Sequence, residues 1–289
     1  NTTGGCNVAI GADSLDSNTT GSGNVAIGAD SLQGNTEGFS NVSIGEDSMK
    51  TNSTGDCNVA IGAAALCTQS TANQNTAIGH QALGAVTGSE NTGVGFNTMN
   101  SAVTGSGNAA FGYSNMTNLT SGSANVSAGN SSSPALTTGS NNSTFGAAAG
   151  ISLTTGSNNL LLGHDAGRSG SPGGTVTTGS NRIALGDENI DNAHIQVDWS
   201  VASDQRDKTD FNNLDLGLDF VNKLNPVTYK WDKRIKYVAE EDRETTDLNT
   251  VVNDGTHKED WLDIGFKAQE VEALEIEAGY NKDNKTNLT

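Results

Sequence analysis

Asn24-Val25-Ala26-Ile27-Gly28 is one copy of a five-residue motif that recurs through the first two-thirds of the chain. The glycines that close the successive copies are Gly11, Gly28, Gly45, Gly62, Gly79, Gly95, Gly112, Gly129, Gly146, Gly163 and Gly186. Eight of the ten intervals between them are 17 residues, one is 16 and the last is 23. Such a period is typical of stacked repeats, in which each unit buries its apolar face only against its neighbours.

The residues around each motif predict one coil of a β-structure. Val25 and Ile27 alternate with Ala26, and period-two alternation is typical of a half-buried strand. A further apolar residue follows four positions after most of the glycines: Leu15, Leu32, Met49, Leu66, Leu83, Met99 and Met116. A polar stretch ending in Thr-Gly-Ser or a variant then supplies turn residues. We therefore expect a mainly β fold, a parallel β-roll or β-helix with coils of about 17 residues.

The alternation gives each strand two different faces. Valine and isoleucine fall on one face, which we expect to contribute to the thin core. The other face carries small residues: Ala9, Ala26, Ser43, Ala60, Ala77, Gly93, Ala110 and Ser127. Small side chains permit close approach of a sister chain, but they are equally compatible with a solvated face. The pattern weakens after Gly129, and the extra residues at 169–175 predict a loop that bulges from the last coil.

Charge divides the chain into two regions. Residues 1–202 contain 13 acidic and 3 basic residues, whereas 203–289 contain 20 and 12. We therefore expect a repeat shaft at 1–186, a connector at 187–202 and a second domain at 203–289. The net charge of -18 argues against a nucleic-acid partner, because phosphate binding requires clustered Lys and Arg.

Neither a membrane span nor a secretion signal is evident in the sequence, and the cysteine spacing predicts free thiols. No run approaches the ~18 consecutive apolar residues of a membrane span, and no secretion signal precedes the repeats. The chain begins at Asn1 inside a repeat, which predicts that it is part of a longer protein. Cys6 and Cys57 lie three coils apart, roughly 14 Å at β-strand spacing, which is too far for a disulfide. Free thiols are consistent with assembly in a reducing cytoplasm.

The charged region predicts a small α+β domain. Apolar residues at helical spacing predict a helix over 213–224, ended by Asn225-Pro226. Alternation at 227–231 predicts a strand with an aromatic face. A charged loop at 233–260, a second strand at 261–264 and a helix at 267–278 complete the unit.

The repeat motif resembles two known families of fibrous proteins. It is similar to the head repeats of YadA-type trimeric adhesins, which are left-handed parallel β-rolls, and to the shaft repeats of phage tail fibres. The resemblance covers about residues 4–186. It implies a homotrimer.

Three motifs in the charged region resemble the C-terminal intramolecular chaperone of phage tail spikes, the endosialidase type. They are Ser-Asp-x-Arg-x-Lys at 203–208, Leu-Asn-Pro-Val-Thr-Tyr-Lys-Trp at 224–231 and Ile-Gly-Phe-Lys-Ala-Gln-Glu-Val at 264–271. The family implies a trimerising chaperone that assists folding of the preceding β-structure and then cuts itself off. It also implies a further apolar helix after Thr289, so we expect this domain to be incomplete at its C-terminus.

The same resemblance implies where and how the chain cuts. The cut falls between Ala202 and Ser203, with Ser203 as nucleophile and Lys208 as its general base, while Asp204 and Arg206 belong to the motif without an assigned role. By chemistry alone, a serine five residues before a lysine is equally compatible with an exposed turn. A reactive pair requires an unprotonated Lys208, whose pKa burial must lower.

We therefore expect a trimeric segment of a phage tail fibre or spike, assembled in the host cytoplasm and carried on the virion. Its expected partners are two further copies, other tail proteins and a host-surface glycan or protein receptor. The resemblance implies a single-turnover, self-cleaving serine endopeptidase, and no activity on an external substrate is evident. No cofactor or metal is expected, since His80, His164, His194 and His257 lack ligand spacing.

Two alternatives remain open from the sequence. A glycan depolymerase needs two carboxylates about 5–9.5 Å apart in a cleft. Asp13, Asp30 and Asp47 recur at 17-residue spacing, but this regularity indicates a surface ladder. A bacterial trimeric adhesin is the other alternative, and chaperone motifs in the place of a membrane anchor argue against it.

Overall fold

A computed structural model describes residues 2–190, 193, 218–239, 242 and 245–279. The chain divides into two units, Asn1–Asp191 and Asn192–Thr289. Each is described by itself below.

Residues 2–190 form a β-solenoid with one short strand per coil. The eleven strands of this region are β1 (Val8–Ile10), β2 (Val25–Ile27), β3 (Val42–Ile44), β4 (Val59–Ile61), β5 (Thr76–Ile78), β6 (Thr92–Val94), β7 (Ala109–Phe111), β8 (Val126–Ala128), β9 (Ser143–Phe145), β10 (Leu160–Leu162) and β11 (Ile183–Leu185). They pair in sequence order in one parallel sheet. The predicted parallel solenoid with coils of about 17 residues is confirmed.

The strand register is constant even where the repeat length changes. Thr76 pairs with Thr92 across the 16-residue interval, and Leu160 pairs with Ile183 across the 23-residue interval. Both irregularities are therefore absorbed in the turns. In the long last coil, the Ser171 hydroxyl accepts a bond from the Gly167 N–H (3.0 Å) and donates to the Gly186 carbonyl (2.8 Å). The extra residues thus fold back onto the coil.

The predicted assignment of the strand faces is wrong. The small central residue of the strand points into the core of its own coil; Ala26, Ala60 and Ala77, for example, are completely buried. The flanking residues point outward, as Val25 and Ile27 do in β2. The coil is so thin that a Cβ added at Gly93 would lie 2.9 Å from Leu83 Cγ. Only a small side chain fits there, so the small residues are not available to a sister chain.

The core opposite the strand contains two columns of side chains. The predicted leucine and methionine column is buried: Leu15, Leu32, Met49, Leu66, Leu83, Met99 and Met116. A second column, which the sequence analysis missed, changes character along the solenoid. It begins with buried amides (Asn18, Asn35, Asn52 and Gln69) and continues with buried apolar residues (Val86, Val103, Leu119, Leu136, Leu153 and Val176). The later apolar residues fill the core where Ser133 replaces the leucine.

A buried asparagine precedes most strands and joins adjacent coils. The Asn41 N–H donates to Asn24 Oδ1 of the preceding coil (3.0 Å), and Asn41 Nδ2 donates to the Gly55 carbonyl of the following turn (2.8 Å). The same arrangement recurs at Asn125 and Asn142. This ladder satisfies backbone groups that the three-residue strands leave unpaired.

The C-terminal unit is a small α+β fold. It comprises α1 (Leu218–Lys223), β12 (Val227–Tyr229), β13 (Asp263–Gly265) and α2 (Ala268–Glu277), with 3₁₀ turns at Arg234–Tyr237 and Leu248–Thr250. β12 and β13 pair antiparallel, with Thr228 opposite Ile264. The predicted hairpin with a long loop and the second helix are confirmed. The second strand begins two residues later than expected, and the predicted N-terminal part of the first helix lies outside the described residues.

Candidate functional site

The predicted processing site lies outside the described residues. Ala202, Ser203, Asp204, Arg206 and Lys208 all fall there. Their roles in nucleophilic attack and proton transfer therefore stay predictions. The other two motifs of the resemblance are described and can be compared.

The two later motifs come together in the C-terminal unit. β12 comes from the 224–231 motif and β13 from the 264–271 motif, and these strands form the antiparallel pair. Residues of both motifs also line one shared cleft with parts of the helices: Lys223, Leu224, Asn225, Phe266, Lys267, Glu270, Val271 and Leu274. At this cleft Lys267 Nζ lies 2.6 Å from Glu270 Oε1, and this contact lowers the pKa of the Glu270 carboxyl. The motifs thus contribute to one structural site despite the long segment between them.

Tyr237 organises the long segment between the strands. Its hydroxyl donates to Asp232 Oδ1 (2.8 Å) and accepts bonds from the backbone N–H groups of Gly255 (2.9 Å) and His257 (3.2 Å). Its ring packs edge-on against the ring of His257, with 4.7 Å between centroids. The loop is therefore structured around one side chain, which the sequence analysis did not identify.

The C-terminal unit exposes much of its apolar surface. None of the six residues of α1, all of them described, is buried. Large apolar side chains are also exposed elsewhere in the unit, at Trp231, Val252, Trp261, Leu262, Ile264, Phe266 and Ile276. Apolar surface of this extent is typical of an interface with another protein surface.

The solenoid has its own exposed apolar surface, here called the outer strand face. It consists of the first and third residues of β1 to β11, and none of them is charged. Its exposed large members are Val8, Ile10, Ile61, Ile78, Phe111, Phe145, Leu162, Ile183 and Leu185. Ile10 is 58% exposed at one end of the sheet and Leu185 is 41% exposed at the other. A continuous row of this kind is unusual on a monomeric protein.

A polar cluster lies at the last two coils. His164 Nδ1 is 3.3 Å from Asp187 Oδ2 and 3.7 Å from Asp165 Oδ2. These three residues are close enough to hold a metal ion. However, Arg168 Nη1 lies 2.9 Å from the same Asp165 oxygen, and Asn189 donates to both oxygens of Asp187. The carboxylate oxygens that could bind a metal therefore already accept hydrogen bonds from Arg168 and Asn189. This arrangement does not favour a metal ion.

The cluster shifts the pKa of Asp187. Burial opposes its ionisation, but the hydrogen bonds from Asn189 and His164 outweigh that effect and lower the pKa of the Asp187 carboxyl. Asp187 is thus ionised at neutral pH and contacts the His164 ring of the preceding coil.

No helix among the described residues is long and apolar enough to cross a membrane.

Comparison with known proteins gives one match. Residues 203–280 match the family model described as the chaperone of endosialidase. No curated protein and no solved structure matches the chain. The family match covers the region that includes the paired β12 and β13 motifs, and the solenoid precedes it. The chain thus combines a β-solenoid with a C-terminal region that matches this family model, and this combination fits a tail fibre with a C-terminal chaperone.

Proposed function

We propose that the chain is a segment of a homotrimeric phage tail fibre or spike whose C-terminal domain guides trimer folding and then cuts itself off. The observation that carries this proposal is the family match, whose first residue is Ser203. That start coincides with the cut expected between Ala202 and Ser203. In the virion, the shaft connects to other tail proteins and binds a receptor on the host surface.

The proposed cut is an acyl transfer followed by hydrolysis. Ser203 Oγ attacks the carbonyl carbon of Ala202 while unprotonated Lys208 takes the hydroxyl proton. Lys208 then returns that proton to the Ser203 nitrogen as the C–N bond breaks, leaving Ala202 as an ester on Ser203 Oγ. Water hydrolyses the ester and releases the Ala202 carboxylate and the free serine hydroxyl. The chemistry is single-turnover because the substrate is the chain itself.

The outer strand face supports assembly into a trimer. The face is uncharged and mostly apolar from β1 to β11, with Thr76, Thr92 and Ser143 as its polar members. Three parallel copies in register bring equivalent residues of each coil together, so each coil buries the flanking side chains of its strand against the same coil of its partners. The small residues cannot serve this purpose, because they fill the core of their own coil.

A folding aid is physically reasonable for such a shaft. Neighbouring coils offer nearly identical surfaces, so an assembly displaced by one coil loses little contact. Three identical chains multiply the incorrect arrangements. A trimeric seed that fixes the register and then leaves makes the correct assembly kinetically trapped.

The depolymerase alternative gains no support from the carboxylates of the shaft. Lys50 Nζ lies 2.9 Å from Asp30 Oδ2 and 2.8 Å from Asp47 Oδ1. Hydrogen bonds to Asp47 and Asp30 raise the pKa of Lys50. The two carboxylates are therefore joined by a cation instead of flanking an open cleft.

The intact mass of the purified chain under denaturing conditions tests the proposal. We expect the parent chain to give two fragments that split between Ala202 and Ser203. Ser203→Ala and Lys208→Met should each give one species of 29.6 kDa. Thr209→Ala removes a neighbouring hydroxyl and should still be cut. An uncut parent, or a cut Ser203→Ala variant, would contradict the proposed self-cleavage.

A further inference from the structure

Three aromatic side chains form a stacked row on consecutive coils of the solenoid. His80, Phe96 and Tyr113 each follow the turn glycine that ends a strand, so they lie just outside the outer strand face. The His80 and Phe96 ring centroids are 5.4 Å apart with 9° between planes. The Phe96 and Tyr113 centroids are 5.3 Å apart with 8° between planes. These three side chains are called the ring row below.

The ring row is accessible to solvent in the single chain. Phe96 is 45% exposed and Tyr113 is 53% exposed. The same position carries Ala63 on the preceding coil and Asn130 on the following coil. Neither residue has an aromatic ring, so the stack has an outer ring face at each end that no further ring of this column covers. Exposed aromatic side chains of this kind are enriched at binding surfaces.

The surroundings of the ring row are polar but almost without charge. Gln81, Asn97 and Ser114 follow the three ring residues, and Asn100 Nδ2 donates to Asn97 Oδ1 (2.9 Å). Between residues 58 and 163 the sequence has one carboxylate, Glu90, and no Lys or Arg. An ionic ligand has little to pair with here. Amides and hydroxyls can donate and accept hydrogen bonds at once, as a ligand rich in hydroxyl groups requires.

We infer that the ring row and its flanking amides form a binding site for a neutral glycan. The apolar face of a sugar ring presents C–H groups that suit the electron-rich face of an aromatic ring. Its hydroxyls match Gln81, Asn97 and Ser114. The ring faces open to such a sugar are the two at the ends of the row, on His80 and Tyr113. This inference rests on the proposed host-receptor role and assigns it a location and a ligand class.

Native gel electrophoresis in the presence of soluble polysaccharides tests this site. The full chain is run through gels that contain dextran, mannan or galactomannan, with anionic polygalacturonate as the charged comparison. We expect at least one neutral polymer to retard the parent chain. The retardation should be lost in Phe96→Ala and Tyr113→Ala. Phe39→Ala removes an exposed ring elsewhere on the solenoid and should leave the retardation unchanged.

Tyr113→Leu separates binding from folding, because it keeps an apolar side chain and removes the open ring face at one end of the row. Its thermal unfolding should resemble that of the parent, while its retardation is lost. The inference is overturned if no neutral polymer retards the parent, if only polygalacturonate does, or if the ring variants are retarded as strongly as the parent. Self-cleavage is measured separately by mass, so a chain that cuts itself yet ignores every neutral polymer contradicts the glycan site alone.

Discussion

Asn108 shows at the scale of one residue how adjacent coils are joined. Its N–H donates to Asn91 Oδ1 (3.0 Å), its Nδ2 donates to the Gly122 carbonyl (2.9 Å), and its Oδ1 accepts from the Asn125 N–H (3.0 Å). One buried side chain thus serves three coils. Leaving any of these groups unpaired in the core carries a free-energy penalty.

Asn108→Leu should lower the free energy of unfolding by roughly 3 kcal/mol, because it leaves buried donors and acceptors of the neighbouring coils without partners. Denaturant unfolding measures the change. Asn118→Leu is the matched control at an exposed position and should alter stability by less than about 0.5 kcal/mol. Equal losses of unfolding free energy in both variants would show that the asparagine ladder does not stabilise the solenoid.

The asparagines of this ladder are visible in the sequence as a repeated residue before the strands. Composition and period alone do not show that they are buried and join adjacent coils. Asparagine precedes each of β1 to β10 in the solenoid, and Arg182 occupies this position before β11. The repeat pattern locates the turn glycines, but it does not explain why glycine is required there. At Gly62, with φ +130°, a Cβ would lie 2.6 Å from the Gly79 carbonyl, so the coils stack too closely for any side chain. The repeat length gives the number of residues per coil but not the distance between adjacent coils.

At the scale of elements, strand spacing could be predicted and strand orientation could not. Alternation showed that each strand has two faces. It did not show which face is inside, because the usual rule assigns the larger apolar residues to the core. Here the leucine column already fills the thin interior, so the larger strand residues are displaced to the outside. In the C-terminal unit, the breaker Asn225-Pro226 correctly predicted the end of α1.

The polar cluster of the last two coils should make stability depend on pH. The folded pKa of Asp187 is lowered, so its contribution is present above about pH 4, the unfolded value, and is lost as pH falls through the folded pKa. Asp187→Asn should therefore lower the melting temperature by roughly 2 °C at pH 7. The difference should shrink as the pH is lowered below about 4. A constant difference across this range would contradict the assigned role of the ionised carboxylate.

At the scale of the whole molecule, the outer strand face is the expected contact between copies. Phe111→Asp introduces a charge at a position that is 43% exposed in the single chain, so the single chain should tolerate it. Burial of that charge between copies should cost at least about 3 kcal/mol per chain. Light scattering after size-exclusion chromatography should therefore give a three-chain mass for the parent and a lower mass for the variant.

Ala102→Asp is the control for this experiment, since it places the same charge at an exposed position outside the strands. It should remain trimeric. A monomeric parent, or a trimeric Phe111→Asp variant, would show that the copies do not meet through this face.

The strand register is constant although the repeats differ in length, so the solenoid can grow or shrink by whole coils. Because Thr76 still pairs with Thr92 when one turn is shortened and Leu160 with Ile183 when another is lengthened, whole coils can be inserted or removed without disturbing their neighbours. Each gain or loss changes the length of the rod by about 4.8 Å. Duplication of a short DNA segment is then sufficient to lengthen the solenoid. Under the proposed function, the distance between virion and host can therefore evolve in small, equal steps.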